Sequence, residues 1–292
     1  MLEYLVNLVL LEYNLFMPSD NVSSADNQQE TRVPHLFYYT GFCVGELTCS
    51  LIRASNKGKG FYFTPDITIS NQDFSLLQEI NGILASNTGI ISPIKGGYNL
   101  KFRGKRKVEI IFQFLQKYPV ITGDIALTKL ELLRRILPTI GKYSKVVNKA
   151  KLIDECRNKL KDLKLNGIVE EMIDLNHFNN DEIGFFLAGI MDAEGSCGLK
   201  KSGLRQQPFF AVAMKDRKII ELVKEFLKCG NIHKRSDDGL YHWETNKKSD
   251  VIKVIEIFTT QYPSKLLKMK ARMGKVTRIL NDYMPNSISH LA

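Results

Sequence analysis

Two glutamates hold matching places in two similar stretches of this 292-residue chain. Tyr39–Leu47 reads YTGFCVGEL and Leu187–Gly195 reads LAGIMDAEG, which sets Glu46 and Glu194 148 residues apart. In each stretch small residues recur four apart: Gly41 and Gly45 in the first, Gly189 and Ala193 in the second. On a helix that spacing gives one face poor in side chains, so two such helices can approach more closely than the usual 8–10 Å or so. Each acid directly follows the second small residue, and close packing would bring both into one site. Two carboxylates about 4 Å apart repel by roughly 4 kcal/mol at an effective dielectric near 20, so the pair must raise a pKa or recruit a cation. Oxygen-only ligands suit Mg2+. An ion held there can activate a water and stabilise the leaving oxygen of an in-line phosphodiester displacement.

The elements that must position these acids are duplicated too. Each acid is followed by two strands and a helix opened by a small polar cluster, as in ITISNQDFSLLQEINGIL (Ile67–Leu84) and AVAMKDRKIIELVKEFL (Ala211–Leu227). Two further strands follow in each half, Gly89–Ser92 with Tyr98–Arg103 and Asn231–Arg235 with Tyr241–Thr245. A helix then ends at Tyr118-Pro119 or Tyr262-Pro263, and a last helix covers Ile125–Leu137 or Leu267–Leu280. This is an α+β pattern used twice. The expected organisation is an extension over 1–33, a first domain over 34–143, a linker over 144–180 and a second domain over 181–292. Ile153, Cys156, Leu160 and Leu163 recur at helical spacing in the linker, predicting a helix across the outside. Met1–Phe16 reads as an extra helix or inherited upstream sequence, and Pro18–Arg32 as a polar tether.

Lys and Arg number 41 against 31 Asp and Glu, a formal charge of +10. That excess favours a polyanionic partner, because neutralised phosphates release their counterions. Charge alone does not separate DNA, RNA and anionic membrane. Five cysteines without a C-x-x-C pair suggest neither a disulfide framework nor a zinc site, and fit a reducing compartment. The five histidines show no ligand spacing. Met1–Phe16 carries Glu3 and Glu12 but no basic residue, which argues against a signal peptide, and it is too short to span a bilayer.

FLAGIMDAEG (Phe186–Gly195) is similar to the LAGLIDADG motif of the homing endonucleases, and the likeness runs over roughly residues 36 to 282. The resemblance implies tandem pseudo-symmetric αββαββα domains in a monomer, with the motif helices at the domain interface. It also implies two curved antiparallel sheets forming a saddle over the DNA major groove. Glu46 and Glu194 would bind Mg2+, with Ca2+ or Mn2+ able to substitute, assisted by the backbone carbonyls of Leu47 and Gly195. Lys268 matches the family's basic catalytic residue; taken alone it reads more readily as a solvated or phosphate-binding lysine. Three departures fall in the first half: Val44 where the motif has Asp, Leu47 where it closes with Gly, and Asp124 at the place of Lys268. A glycine at a helix end can take a positive φ, so Leu47 is expected to bring strain and to weaken cleavage of one strand.

Strand alternation puts Thr48, Ser50 and Ile52, and correspondingly Ser196, Gly198 and Lys200, on the face expected to meet DNA. Cys49, Leu51, Cys197 and Leu199 lie opposite. The candidate base-reading residues are Ser50, Thr68, Asn99, Lys101 and Arg103 in the first half. In the second they are Ser196, Lys200, Arg205, Gln207, His233, Arg235, His242 and Glu244. Lys105, Arg106 and Lys107, with Lys57, Lys59 and Lys201, suit phosphates. The expected function is a magnesium-dependent, sequence-specific endonuclease encoded within an intron, inside an organelle or a prokaryotic cytoplasm. Two other classes share the expected fold: a maturase that binds intron RNA, and a noncatalytic DNA-binding protein.

Overall fold

The computed structural model describes residues 32–56, 60–140, 149–166, 177–202 and 205–282. The expected helix and tether over 1–31, the turn lysines Lys57 and Lys59, and the linker stretches 141–148 and 167–176 lie outside the described residues. The first half runs α1 (Phe37–Glu46), β1 (Leu47–Asn56), β2 (Gly60–Asn71), α2 (Phe74–Ala85), β3 (Ile90–Ile94), β4 (Gly97–Arg103), α3 (Lys105–Lys117) and α4 (Asp124–Ile136). Helix α5 (Lys149–Asn166) follows. The second half runs α6 (Asn180–Glu194), β5 (Gly195–Ser202), β6 (Arg205–Met214), α7 (Arg217–Leu227), β7 (Asn231–Lys234), β8 (Tyr241–Thr245), α8 (Lys248–Glu256) and α9 (Leu267–Asp282).

The motif helices are apolar on nearly every side, so they are buried rather than laid on a surface. Phe37 through Cys43 of α1 and Phe186 through Asp192 of α6 are all buried. Helix α6 starts from a capping box: the Asn179 side chain accepts from the Glu182 N–H at 2.9 Å, and the Glu182 carboxylate accepts from the Asn179 N–H at 3.0 Å. The two helices meet through their glycines. A Cβ on Gly41 would lie 2.8 Å from the carbonyl carbon of Phe186, and one on Gly189 would lie 2.5 Å from the backbone nitrogen of Phe42. Both neighbours are backbone, so only residues without side chains permit this approach.

Each half carries one four-stranded antiparallel sheet, ordered β1-β2-β4-β3 and β5-β6-β8-β7. Register matches across the halves: Leu47 faces Ile69 as Gly195 faces Val212. One side of each sheet supplies the core, with Cys49, Leu51, Ile67, Ile69, Leu100 and Phe102 in the first and Cys197, Phe210, Val212 and Trp243 in the second. The Trp243 indole N–H is satisfied by the Cys229 carbonyl at 2.9 Å. The linker helix α5 buries Ile153, Cys156 and Leu160 and packs against α4 and β1, as its spacing predicts. Strand β7 stops at Lys234, one residue earlier than its sequence suggests: the Arg235 N–H still meets the Leu240 carbonyl at 2.8 Å, but the Arg235 carbonyl accepts from the Gly239 N–H at 3.1 Å and closes the turn.

Candidate active site

Glu46 and Glu194 end α1 and α6 and lie together where these helices meet: a Cβ on Gly45 would be 3.1 Å from Glu194 Cγ and 3.6 Å from its Oε1. Burial between the helix ends pushes Glu46 up to about 7, with the Asn71 amide pulling the other way by donating to Glu46 Oε1 at 3.2 Å. Glu194 is also pushed up to about 7, by burial and then by the neighbouring charge of Glu46. Loss of solvent around a carboxylate, and a like charge beside it, both favour its protonated form.

A cleft of about 630 Å³ opens beside Glu46, lined among others by Ser70, Asn71, Asp73, Gly195, Lys268 and Arg272. Asp192 sets the position of the two bases. Its carboxylate accepts from the Tyr38 hydroxyl at 2.7 Å, from the backbone N–H of Lys265 at 2.6 Å and of Leu266 at 2.9 Å, and from the Ser264 hydroxyl. These donors lead into α9, so the motif aspartate anchors the helix that carries Lys268 and Arg272 one turn apart.

Residues 187–272 match the sequence model of the family described as LAGLIDADG endonuclease. No curated protein matches the sequence. Among solved structures, the I-SmaMI LAGLIDADG homing endonuclease bound to cleaved DNA is similar at a TM-score of 0.68 and 20% identity, covering 84% of this chain and 88% of that one. I-SmaMI bound to uncleaved DNA target in the presence of calcium ions gives 0.68 and 20%, covering 85% and 92%. The LAGLIDADG homing endonuclease I-GzeII in complex with DNA target gives 0.67 and 22%, covering 88% and 92%. The chain has the single-chain, two-domain LAGLIDADG fold.

Within that LAGLIDADG frame the three departures have structural consequences. Val44 offers no acceptor to the start of α4, and the role passes to Asp216 across the halves, whose Oδ2 accepts from the Ile125 N–H at 3.0 Å. Asp124 pairs with Lys218 at 2.9 Å. The expected strain at Leu47 is absent: its φ of −78° and ψ of 130° are ordinary extended backbone, close to the −78° and 152° of Gly195. Gly195 is small for another reason, since a Cβ there would press on the Met191 carbonyl. The Leu47 side chain is buried in its own half.

The candidate DNA-reading residues gather on the non-core side of the two LAGLIDADG sheets. Thr48 is exposed and Ser50, Thr68, Asn99, Lys101, Ser196 and Gln207 are half-buried there. Several are already partnered. Buried Asp66 accepts from Arg103 Nε at 3.1 Å and from the Thr68 hydroxyl at 2.8 Å, and Ser70 donates to Asn99 at 2.7 Å. Lys200 pairs with Glu244, and His233 Nε2 lies 3.0 Å from His242 Nδ1 across the β7–β8 ladder. Arg235 sits instead in the following turn, paired with Asp238 at 2.9 Å. Arg205 pairs with Ser202 through its backbone register, and its side chain lies outside the described residues. Lys105, Arg106 and Lys107 form the first turn of α3, and Lys201 is exposed near the end of β5.

Sequence reasoning missed Asp66, Asn71, Asp216, Lys218 and Arg272. Arg272 had a usable signal, since it follows Lys268 by four residues and must share its helix face. The others depend on strand register and on packing between the halves, which no local pattern announces.

Proposed function

We propose that this protein is a site-specific DNA endonuclease of the homing type that makes a divalent-metal-dependent double-strand break. The observation that carries the reading is the juxtaposition of Glu46 and Glu194 at the end of two helices packed through Gly41 and Gly189. The polar side of the two sheets and the +10 formal charge suit duplex DNA as the substrate. The fold shared with nucleases solved on DNA supports the same substrate, with the single chain acting as a monomer.

The donor set fits magnesium. Among the described residues no group of three or more His, Cys, Asp or Glu side chains forms a cage. Mg2+ is commonly bound by one or two carboxylates, with waters and substrate phosphates completing its shell. Glu46 and Glu194 would hold it, assisted by the carbonyls of Leu47 and Gly195. The bound ion supplies Lewis-acid stabilisation and an activated water. The chain's own side chains then have distinct tasks. Asn71 holds the Glu46 carboxylate by a hydrogen bond, Asp192 fixes the start of α9, and Lys268 presents a cation to the phosphate. Residues on the non-core strand faces would read base edges. An intron in an organelle or prokaryotic genome is the setting proposed, on the resemblance alone.

The test is purified full-length protein with Mg2+ on a supercoiled plasmid carrying the intronless form of its own insertion site. Linear product that disappears in Glu46→Gln and Glu194→Gln supports the reading. An intact plasmid together with preferential binding of structured intron RNA would replace the endonuclease by a maturase.

A further inference from the structure

Strands β7 and β8 place His233 directly opposite His242, and neither residue lines the cleft beside Glu46. Strand alternation carries the neighbours Lys234, Tyr241 and Trp243 to the other side of the sheet, where Trp243 is buried and the Lys234 ammonium lies 5.4 Å from the Tyr241 ring centre. His233 is exposed and His242 half-buried, with Nε2 of the first 3.0 Å from Nδ1 of the second. Two cations near the pair are already taken up, Arg235 by Asp238 at 2.9 Å and Lys200 by Glu244. Glu244 lies two residues from His242 on the same strand face. Burial pushes His242 below the usual histidine range; His233, Arg235 and Lys200 act in the same direction, and Glu244 acts against them.

A hydrogen bond between the two rings needs a hydrogen on one inner nitrogen and a lone pair on the other. The same spacing also suits two lone pairs turned to one ion. Ligands about 2.0–2.1 Å from an ion sit about 2.9 Å apart at a right angle and about 3.3 Å apart at the tetrahedral angle. The observed 3.0 Å falls between these values. Imidazole suits zinc, copper and nickel, whereas magnesium takes oxygen ligands. Among the described residues no group of three or more His, Cys, Asp or Glu forms a cage, so the protein offers two ligands and leaves the other positions to water or to a nucleic-acid base.

We propose that His233 and His242 form a two-histidine site for a divalent ion of the zinc, copper and nickel class, distinct from the carboxylate centre, and that the ion changes what this patch reads on DNA. The effect on DNA rests on the endonuclease reading; the ion site stands on the geometry alone. In the ion-free pair one hydrogen lies between the rings. Of the two outer nitrogens, His233 Nδ1 and His242 Nε2, one then donates and the other accepts. With an ion both inner nitrogens give lone pairs, and the hydrogens of two neutral rings sit on the outer nitrogens. No proton is gained or lost by the neutral pair: one hydrogen moves from the inner to the outer nitrogen of one ring. An outer acceptor suits the amino groups of adenine and cytosine, whereas an outer donor suits N7 and O6 of guanine and O4 of thymine. The ion therefore turns an acceptor into a donor on the face expected to meet DNA.

The experiment titrates Zn2+ into the full chain, free of any histidine tag and of DNA, against a chromophoric chelator. Two ligands on one scaffold gain about 10²–10⁴ over one, so His233→Ala and His242→Ala should each weaken binding at least about 10²-fold, while Glu46→Gln combined with Glu194→Gln leaves it within about threefold. Cu2+ on the wild type should show two equatorial nitrogens by electron paramagnetic resonance, and one on either histidine variant. His233 is exposed, so its variant should keep the wild-type melting temperature. The effect on DNA is read without cleavage, as binding in Ca2+ to a panel of single-base target variants with and without Zn2+. Preference at one or two positions should change by at least about fivefold, and His233→Ala should erase the change. Zn2+ affinity indifferent to both histidines, or lost with the two glutamates instead, would overturn the site. Zn2+ held by the histidines with an unchanged panel would overturn the effect on DNA. If no duplex is bound at all, the endonuclease reading fails, and the Zn2+ titration alone decides the site.

Discussion

Gly41→Ala places one methyl group in the tightest part of the interface between α1 and α6. The new Cβ would lie 2.8 Å from the carbonyl carbon of Phe186 and closer still to its oxygen. An ordinary carbon–carbon contact is about 3.5 Å or more, so the helices must part by about 1 Å. Neither partner can rotate away, because both are main chain. Overpacking of this kind costs about 1–3 kcal/mol. At about 2–4 °C per kcal/mol for a chain of this size, the melting temperature should fall by roughly 3–10 °C. The cost to function should be larger than the cost to stability. Glu46 lies five residues further along the same helix, and a displacement of about 1 Å at a reacting centre can lower a rate on the order of 10²-fold. The assay pairs thermal melting with single-turnover cleavage, measured well below the variant's melting temperature. Gly274→Ala is the control: it is a helical glycine with nothing within 4 Å of a new Cβ, and should raise stability by up to about 1 kcal/mol. A Gly41→Ala protein that melts and cuts like wild type would refute the idea that direct backbone contact of the two helices sets the carboxylate geometry.

Asp192→Ala should cost about 3 kcal/mol in denaturant unfolding, since four donors lose their acceptor inside the protein, and cleavage should fall more steeply as α9 loses its anchor. Glu46→Gln should stabilise the metal-free protein at pH 8 but not at pH 4. The folded carboxyl sits near 7, above its usual 4.5, so the folded state binds more protons and wild-type stability falls as pH rises through that window. The shift sets a ceiling of about 3 kcal/mol, reduced to about 1–2 by partial solvent access, and saturating Mg2+ should erase the variant's advantage in a melting assay. Asp66→Ala should release Arg103 and lower discrimination at one base pair of the target by about 1–3 kcal/mol, read as binding to a panel of single-base variants.

The legible parts of the fold are those written in local period. Small residues four apart in Tyr39–Leu47 and Leu187–Gly195 state a close helix pair before any coordinates, and the alternation of Tyr98, Leu100 and Phe102 with Asn99, Lys101 and Arg103 states which side of the sheet is wet. Leu47 shows where such reading goes astray. Its departure from glycine predicts strain at the helix end, yet the backbone there is ordinary, and the glycine at the matching place answers to a nearby carbonyl instead. Partnerships made across elements stayed hidden. Lys200 with Glu244 and His233 with His242 are two strands apart or on facing strands, and each residue alone reads as an unpaired groove contact. The pairing of Asp124 with Lys218 and the reach of Asp216 to Ile125 depend on how one half docks on the other, which the sequence does not write locally.

The shared centre is tested most directly by a crystal of the protein on its cognate duplex grown with Mn2+, with anomalous scattering used to locate the ion. The expected result is a peak with carboxylate oxygens of both Glu46 and Glu194 at about 2.2 Å, and its loss from a Glu194→Gln crystal of the same form. A peak bound to other residues, or none with both carboxylates turned to basic side chains, would contradict it.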